Sequence, residues 1–484
     1  MTSRRPLNLA LVASLSLALA ACSATGPVKS SKDSKAPVAD AKAVETSTGS
    51  PYPSTYKPAP STPTLIRGAT VLVGNGKRLD NADVLIRDGL IAAVGTQIEA
   101  PADARIVEGQ GKWVTPGLID VHSHLGVYPS PGVEAHSDGN EATAPSTAQV
   151  WSEHSIWPQD PGFEAALEGG ITTLHVLPGS ANLFGGRSVT VKNISAVTYQ
   201  SMKFPDAPHG LKMACGENPK RVYGNRRQMP STRMGNVAGW RAQWIEAQEY
   251  ARDWKQYETR KAAGVKDLRP PKRDLRLETL AAVLRGEILV QHHCYRADEM
   301  AIVIDMSREF GYRVSAFHHA TEAYKISNLL AENNICAAVW ADWWGFKMES
   351  YDAIPENMIL VDAAPGGCAV VHSDSAEGIQ RLNQEAAKGM ARARRMGLDI
   401  TPEHAITWLT QNAARVIGLD SKIGTLEVGK MGDVVVWNGN PFSVYALTEK
   451  IYVDGALRFD RAAPRAQPES DFLLGQPAYE GVIR

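Results

Sequence analysis

Pro116-Gly117-Leu118-Ile119-Asp120-Val121-His122-Ser123-His124 joins a Pro-Gly turn to an apolar strand that ends in His-x-His. Side chains on a strand alternate between faces, so His122 and His124 share one face, a layer apart. Two imidazoles so placed can hold one divalent ion, because neutral His is a common ligand for such metals. Three further apolar runs end in the same kind of residue. Gln291-His292-His293 follows Glu287-Ile288-Leu289-Val290, His318-His319 follows Arg313–Phe317, and His372-Ser373-Asp374 follows Cys368–Val371. The chain has only 12 His, so this repeated placement marks a site rather than scatter. The C-terminal edge of the strands is where α/β barrels keep their chemistry.

Outward from these motifs, the centre of the chain alternates short apolar runs such as Ile171–Val176 with helical stretches such as Asp298–Phe310 and Glu377–Met396. That alternation predicts an α/β fold with parallel strands, and its length predicts a TIM (β/α)8 barrel over residues 116–424. The polar segment between Arg221 and Leu284 reads as extra helices over the barrel mouth. Residues 64–115 and 425–465 carry antiparallel signals instead. Asp83–Gly95 reads as a hairpin closed by Asp88-Gly89, a favoured tight-turn pair. Gly432–Trp437 and Lys450–Gly455 read as strand and turn. Both ends of the chain are therefore expected to build one small β-sandwich beside the barrel.

The first residues read as a targeting segment. Arg4 and Arg5 precede Leu9–Ala21, an apolar run too short to span a bilayer as a helix. Leu19-Ala20-Ala21-Cys22 resembles the bacterial lipobox, which makes residues 1–21 a lipoprotein signal peptide with the lipid on Cys22. An ordinary signal-peptidase site is the alternative. Residues 22–63, rich in Ser, Ala, Pro, Thr and Lys, read as a flexible tether, and 466–484 as a tail. The implied location is the cell envelope: lipid-anchored at the outer membrane facing the periplasm, or periplasmic, with membrane contact only through the lipid. A net charge of −1 argues against a nucleic-acid partner. An exported chain is free to form disulfides. Nevertheless Cys215, Cys294, Cys336 and Cys368 show no CxxC spacing and read as small buried hydrophobes. A homodimer is the base-rate expectation.

Taken with Gly170-Ile171-Thr172-Thr173, Gly216-Glu217-Asn218-Pro219-Lys220-Arg221, Tyr295-Arg296-Ala297-Asp298, His319-Ala320-Thr321-Glu322-Ala323, Asn412-Ala413-Ala414 and Gly424–Asp433, the opening motif extends to Val114–His124. Over roughly residues 64–460 the chain resembles the amidohydrolase superfamily, in its imidazolonepropionase-like and dipeptidase-like branch. The resemblance implies metal ligands His122, His124, His293, His319 and Asp374, with Asp374 also the proton shuttle. His292 and His318 are adjacent, opposite-facing alternatives. For a bridging ligand Glu217 is the first choice, Lys212 the second (carboxylated, as in many relatives) and Lys192 the third. His372 shares a face with Asp374 and is expected as a partner beneath the metal. Tyr295, Arg296 and Arg187 are candidates for holding substrate, since an Arg fork suits a carboxylate.

The implied cofactor is one or two divalent metals, zinc first and iron, manganese or cobalt as alternatives. The implied reaction is hydrolysis of a C–N bond in an amide, a small peptide or a cyclic amide by metal-activated water. Two other readings keep the same fold. In one the site attacks an ester, lactone or phosphoester; in the other the chain is a non-catalytic cell-surface binding protein.

Overall fold

The computed structural model describes residues 51–463, Trp344 excepted. The signal segment, Cys22, the tether up to residue 50 and the tail lie outside the described residues.

Eight strands form the barrel sheet in chain order: β1 (Leu118–Ser123), β2 (Ile171–Val176), β3 (Phe184–Lys192), β4 (His209–Ala214), β5 (Ile288–Cys294), β6 (Val314–His319), β7 (Cys336–Val339) and β8 (Ala369–Val371). Their apolar, β-branched composition fits burial on both faces, and β1, β2, β7 and β8 are buried at every position. The expectation of a wholly parallel sheet fails at one strand: β3 runs antiparallel to both β2 and β4. The connection 177–183 is too short for the crossover of a dozen or more residues that a parallel return needs, so the chain turns straight back.

No ladder joins β8 to β1 among the described residues. The seam is closed instead by Asp120, which accepts hydrogen bonds from the Ser373 N–H (3.2 Å) and hydroxyl, and by the Asp374 N–H donating to the His122 carbonyl at 3.0 Å. That seam carries three of the implied ligands.

The insert forms α1 (Glu217–Gly224), α2 (Arg233–Ala262) and α3 (Leu275–Leu284). Helix α2 packs on the barrel flank rather than over its mouth. Trp240 donates to the Leu183 carbonyl at 3.3 Å, and Trp244 stacks on Tyr312 with ring centroids 4.5 Å apart. Its first turn reaches toward the mouth: Arg233 pairs with Glu299 and Glu349, and Asn236 donates to the Gly216 carbonyl at 3.1 Å. Downstream, α4 (Ala297–Phe310) and α5 (Leu382–Arg395) match the predicted helical stretches.

A second eight-stranded sheet is built from both chain ends, as expected. Trp113–Pro116 stitches it, pairing parallel with Thr64–Leu72 and antiparallel with Val434–Trp437. Asp88 (φ 52°) and Gly89 (φ 78°) close the predicted hairpin, both in the left-handed region that such a two-residue turn demands. Packing starts earlier than the tether reading allowed. Thr55 N–H donates to the Gln200 carbonyl at 3.0 Å, and the buried Tyr56 hydroxyl donates to Asp454.

The four cysteines also correct the sequence reading. They form Cys215–Cys294 and Cys336–Cys368, with Cα separations of 5.2 and 4.6 Å. The cause is strand register. Ala214 lies opposite His293, so Cys215 faces Cys294; Ala337 lies opposite Ala369, so Cys336 faces Cys368. Which strands are neighbours is not visible in sequence spacing.

Candidate metal centre

The strand ends bring a compact group of nitrogen and oxygen donors to the barrel axis. Asp374 Oδ1 lies 3.2 Å from His124 Nε2 and 3.5 Å from His122 Nε2, and its Oδ2 lies 3.8 Å from His319 Nε2. Lys212 Nζ is 3.2 Å from His122 Nε2. The His293 ring stands edge-on to His319 at 4.6 Å between centroids. Two donor triads, His122/His124/Asp374 and His122/His319/His372, are tight enough to hold a metal ion.

The backbone sets these directions. Along β6, strand period turns His318 inward and would turn His319 outward. His319 has φ 69° and the following Ala320 φ 38°, and this left-handed turn swings His319 back to the axis. Asp374, with φ 48°, is aimed in the same way at the end of β8. Non-glycine residues at positive φ carry strain and persist where the surroundings hold them. The reading of His318 as an outward alternative is thus corrected: both histidines of the pair face the interior, His318 one layer below. His292 does face outward, edge-on to Trp240 at 5.3 Å, as a buried core histidine.

Electrostatics suit a cation. Burial first, then the Lys212 charge, holds His122 and His293 well below the usual imidazole range; burial and the neighbouring His293 do the same for His319. Neutral imidazoles offer lone pairs. For Asp374 burial works upward, but the His124 hydrogen bond and the charges of His124, His372 and Lys212 outweigh it and hold the carboxylate below its ordinary value. Burial pulls the Lys212 ammonium down to about 8.

Whether a metal fits is decided by the donor set. The Leu177 carbonyl can only accept, so His124 Nδ1, 2.7 Å away, must donate to it. The ring's other nitrogen then aims at an Asp374 oxygen 3.2 Å away, a contact that either a proton on the ring or a cation between the two satisfies. Both His293 ring nitrogens, His319 Nδ1 and His372 Nδ1 are buried without a partner, which is costly unless something binds there. The residues fit a divalent metal.

Other candidates are placed elsewhere. Glu217 opens α1, 36% exposed, and pairs with Lys347 at 3.3 Å, while Lys212 sits inside the donor group. Lys192 is far down β3, buried between Asp433 (3.1 Å) and Asp454 (2.8 Å), and bolts the barrel to the second sheet. Arg187 donates to Thr279 and lies over Trp151, and Arg296 is closed on Asp298 at 2.9 Å, so neither guanidinium points at the donor group. Tyr295 is at the site, stacked on His319 at 5.3 Å. His372 lies beneath, its Nε2 accepting the His319 N–H at 3.3 Å.

Sequence reasoning missed Lys347, whose ammonium sits 3.8 Å over the Tyr295 ring, and Trp340, stacked on His319 at 4.5 Å. Both follow β7, whose apolar run ends on Trp340 rather than on a His. Trp340 directly succeeds the buried run 336–339, and that position was the available signal.

Fold and site together define a barrel with a group of His, Asp and Lys donors at its strand ends. The chain belongs to the Amidohydrolase family, whose model matches residues 113–464. It is similar to Amidohydrolase tasK of Hapsidospora irregularis, 33% identical over 463 residues, which are 87% of this chain and 46% of that protein. The chain thus spans about half the length of that curated relative. It is also similar to the imidazolonepropionase of Deinococcus deserti, 24% identical across 77% of this chain and 89% of that protein. Among solved structures, an amidohydrolase from Thermotoga maritima MSB8 superposes with a TM-score of 0.74 at 36% identity, covering 82% of this chain and all of that one.

Proposed function

We infer that the protein is a metal-dependent hydrolase that cleaves a C–N bond of a small amide, peptide or cyclic amide. The observation that carries this is the convergence of His122, His124, His319 and Asp374 on one another across 3.2–3.8 Å, a donor arrangement suited to a cation. His122, His124, His293, His319 and Asp374 would hold the metal, with Lys212, once carboxylated, as the bridging ligand. Carboxylation needs the neutral amine, and burial of Lys212 supports that form. When bound, the metal would supply Lewis acidity and bring a water's pKa to about 7. Asp374, ionised at neutral pH, is the base that takes the water's proton and returns it to the leaving nitrogen. Tyr295 and Trp340 flank the His319 ring and shape the space beside it.

The two disulfides support the reading of an exported chain; its anchoring in the cell envelope by a lipid on Cys22 rests on the N-terminal sequence.

Metal content per chain tests the proposal, on protein lacking residues 1–22 and purified without chelator. Two equivalents are expected in wild type and in Glu217→Ala, and one or fewer in Lys212→Ala. One equivalent in all three would make the site mononuclear. No metal after soaking with zinc or manganese would overturn the catalytic reading.

A further inference from the structure

Beneath the donor group lies a hydrogen-bond chain whose ends are fixed. The Val416 carbonyl can only accept, so it takes a hydrogen bond from Gln291 Nε2, 3.0 Å away. This fixes the amide's orientation. Gln291 Oε1 is therefore the atom 2.8 Å from His318 Nε2, and that nitrogen must carry a proton. His318 Nδ1 lies 2.9 Å from His122 Nδ1, a separation that holds one proton, not two. His318 is fully buried and faces a neutral amide on one side and an imidazole on the other. A second proton on its ring would be an uncompensated buried charge. The shared proton therefore belongs to His122 Nδ1, and His122 Nε2 is left bare.

Lys212 agrees with this assignment: whenever its amine is protonated it has only donors to offer, and His122 Nε2 at 3.2 Å is then an acceptor.

We propose that Gln291 and His318 are positioning residues that lock His122 into the single tautomer whose Nε2 can bind metal. Resting on the metal-centre reading, the proposal adds the device that prepares one ligand before any metal arrives. A neutral imidazole can carry its proton on either nitrogen, and a histidine with the proton on Nε2 must change tautomer before binding through that atom. Partners of this kind typically govern metal affinity by 10–100-fold.

The test uses metal-free protein with 15N-labelled histidine, and chelator competition for zinc affinity. In wild type the His122 resonances should show a protonated Nδ1 and a bare Nε2. His318→Leu removes the acceptor and should weaken zinc binding 10–100-fold and mix the His122 tautomers. His318→Asn can place its carbonyl oxygen near the lost Nδ1 and should restore both, to within about threefold in affinity. A proton on His122 Nε2 in wild type would overturn the proposal. So would His318→Leu binding zinc as tightly as wild type, or His318→Asn behaving like His318→Leu in a folded protein. Should no variant bind zinc, the metal reading fails; the tautomer spectrum then still decides whether the chain of hydrogen bonds orders His122.

Discussion

Replacing Lys192 by Ala should cut the bolt between the barrel and the end-built sheet. The ammonium is fully buried, 2.8 Å from Asp454 and 3.1 Å from Asp433, whose side chains are 4% and 5% exposed. It also lies 4.7 Å from the centre of the Phe204 ring. Removing one member of a buried ion pair leaves an uncompensated charge, at about 3–5 kcal/mol. Here one cation serves two carboxylates, so the loss belongs at the upper end, against a typical total stability of about 5–15 kcal/mol. The pH dependence has a definite sign. Burial already raises the Asp433 carboxyl above its ordinary value, against the pull of Lys192. A carboxyl with a raised folded pKa keeps a proton that the unfolded chain has released, so stability falls as pH rises above the unfolded value of ~3.9. Without Lys192 the shift grows, and the gap between wild type and variant should be wider at pH 8 than at pH 5. Urea denaturation followed by circular dichroism at both values measures it. A loss below 1 kcal/mol, or a gap that ignores pH, would refute the reasoning. Metal content should be unchanged in the folded variant, since Lys192 is remote from the donor group.

Three further outcomes are expected. Asp374→Asn removes the base without altering shape, so turnover should fall about 10²–10⁴-fold with the dichroism spectrum intact; activity within tenfold of wild type would remove Asp374 from the shuttle role. Reducing Cys215–Cys294, which closes a 79-residue separation, should cost about 4 kcal/mol by loop entropy; an unchanged denaturation midpoint with dithiothreitol would show that the bond constrains nothing. The His404 hydrogen bond to Asp362 raises the imidazole pKa, so its stabilisation is complete below the unfolded value of ~6.5 and lost as pH rises through the folded one. His404→Gln should accordingly be destabilising at pH 5.5 and nearly neutral at pH 8.5, and an equal effect at both would count against the pairing.

Much of the architecture and most of the donor set were legible in the order of residues. An apolar strand ending in His-x-His announces itself because strand period and ligand chemistry are both local. The Asp88-Gly89 hairpin was legible for the same reason, since positive φ is a property of the residue and its neighbour. Tertiary structure alone decided what depends on neighbours distant in sequence. Lys212 lies among the donors because β4 runs beside β5, and no spacing rule says where a lysine on one strand meets a histidine on another. His319 reached the axis against its strand period because two left-handed residues turn the chain at that point. The cysteines became disulfides because register set them face to face, and Lys192 became a bolt because two aspartates from the far end of the chain close around it. The residue types that can bind, bend or bury are written along the chain, whereas the pairings between them exist only after strands have chosen their neighbours, since a contact's energy depends on distance in space and not in sequence.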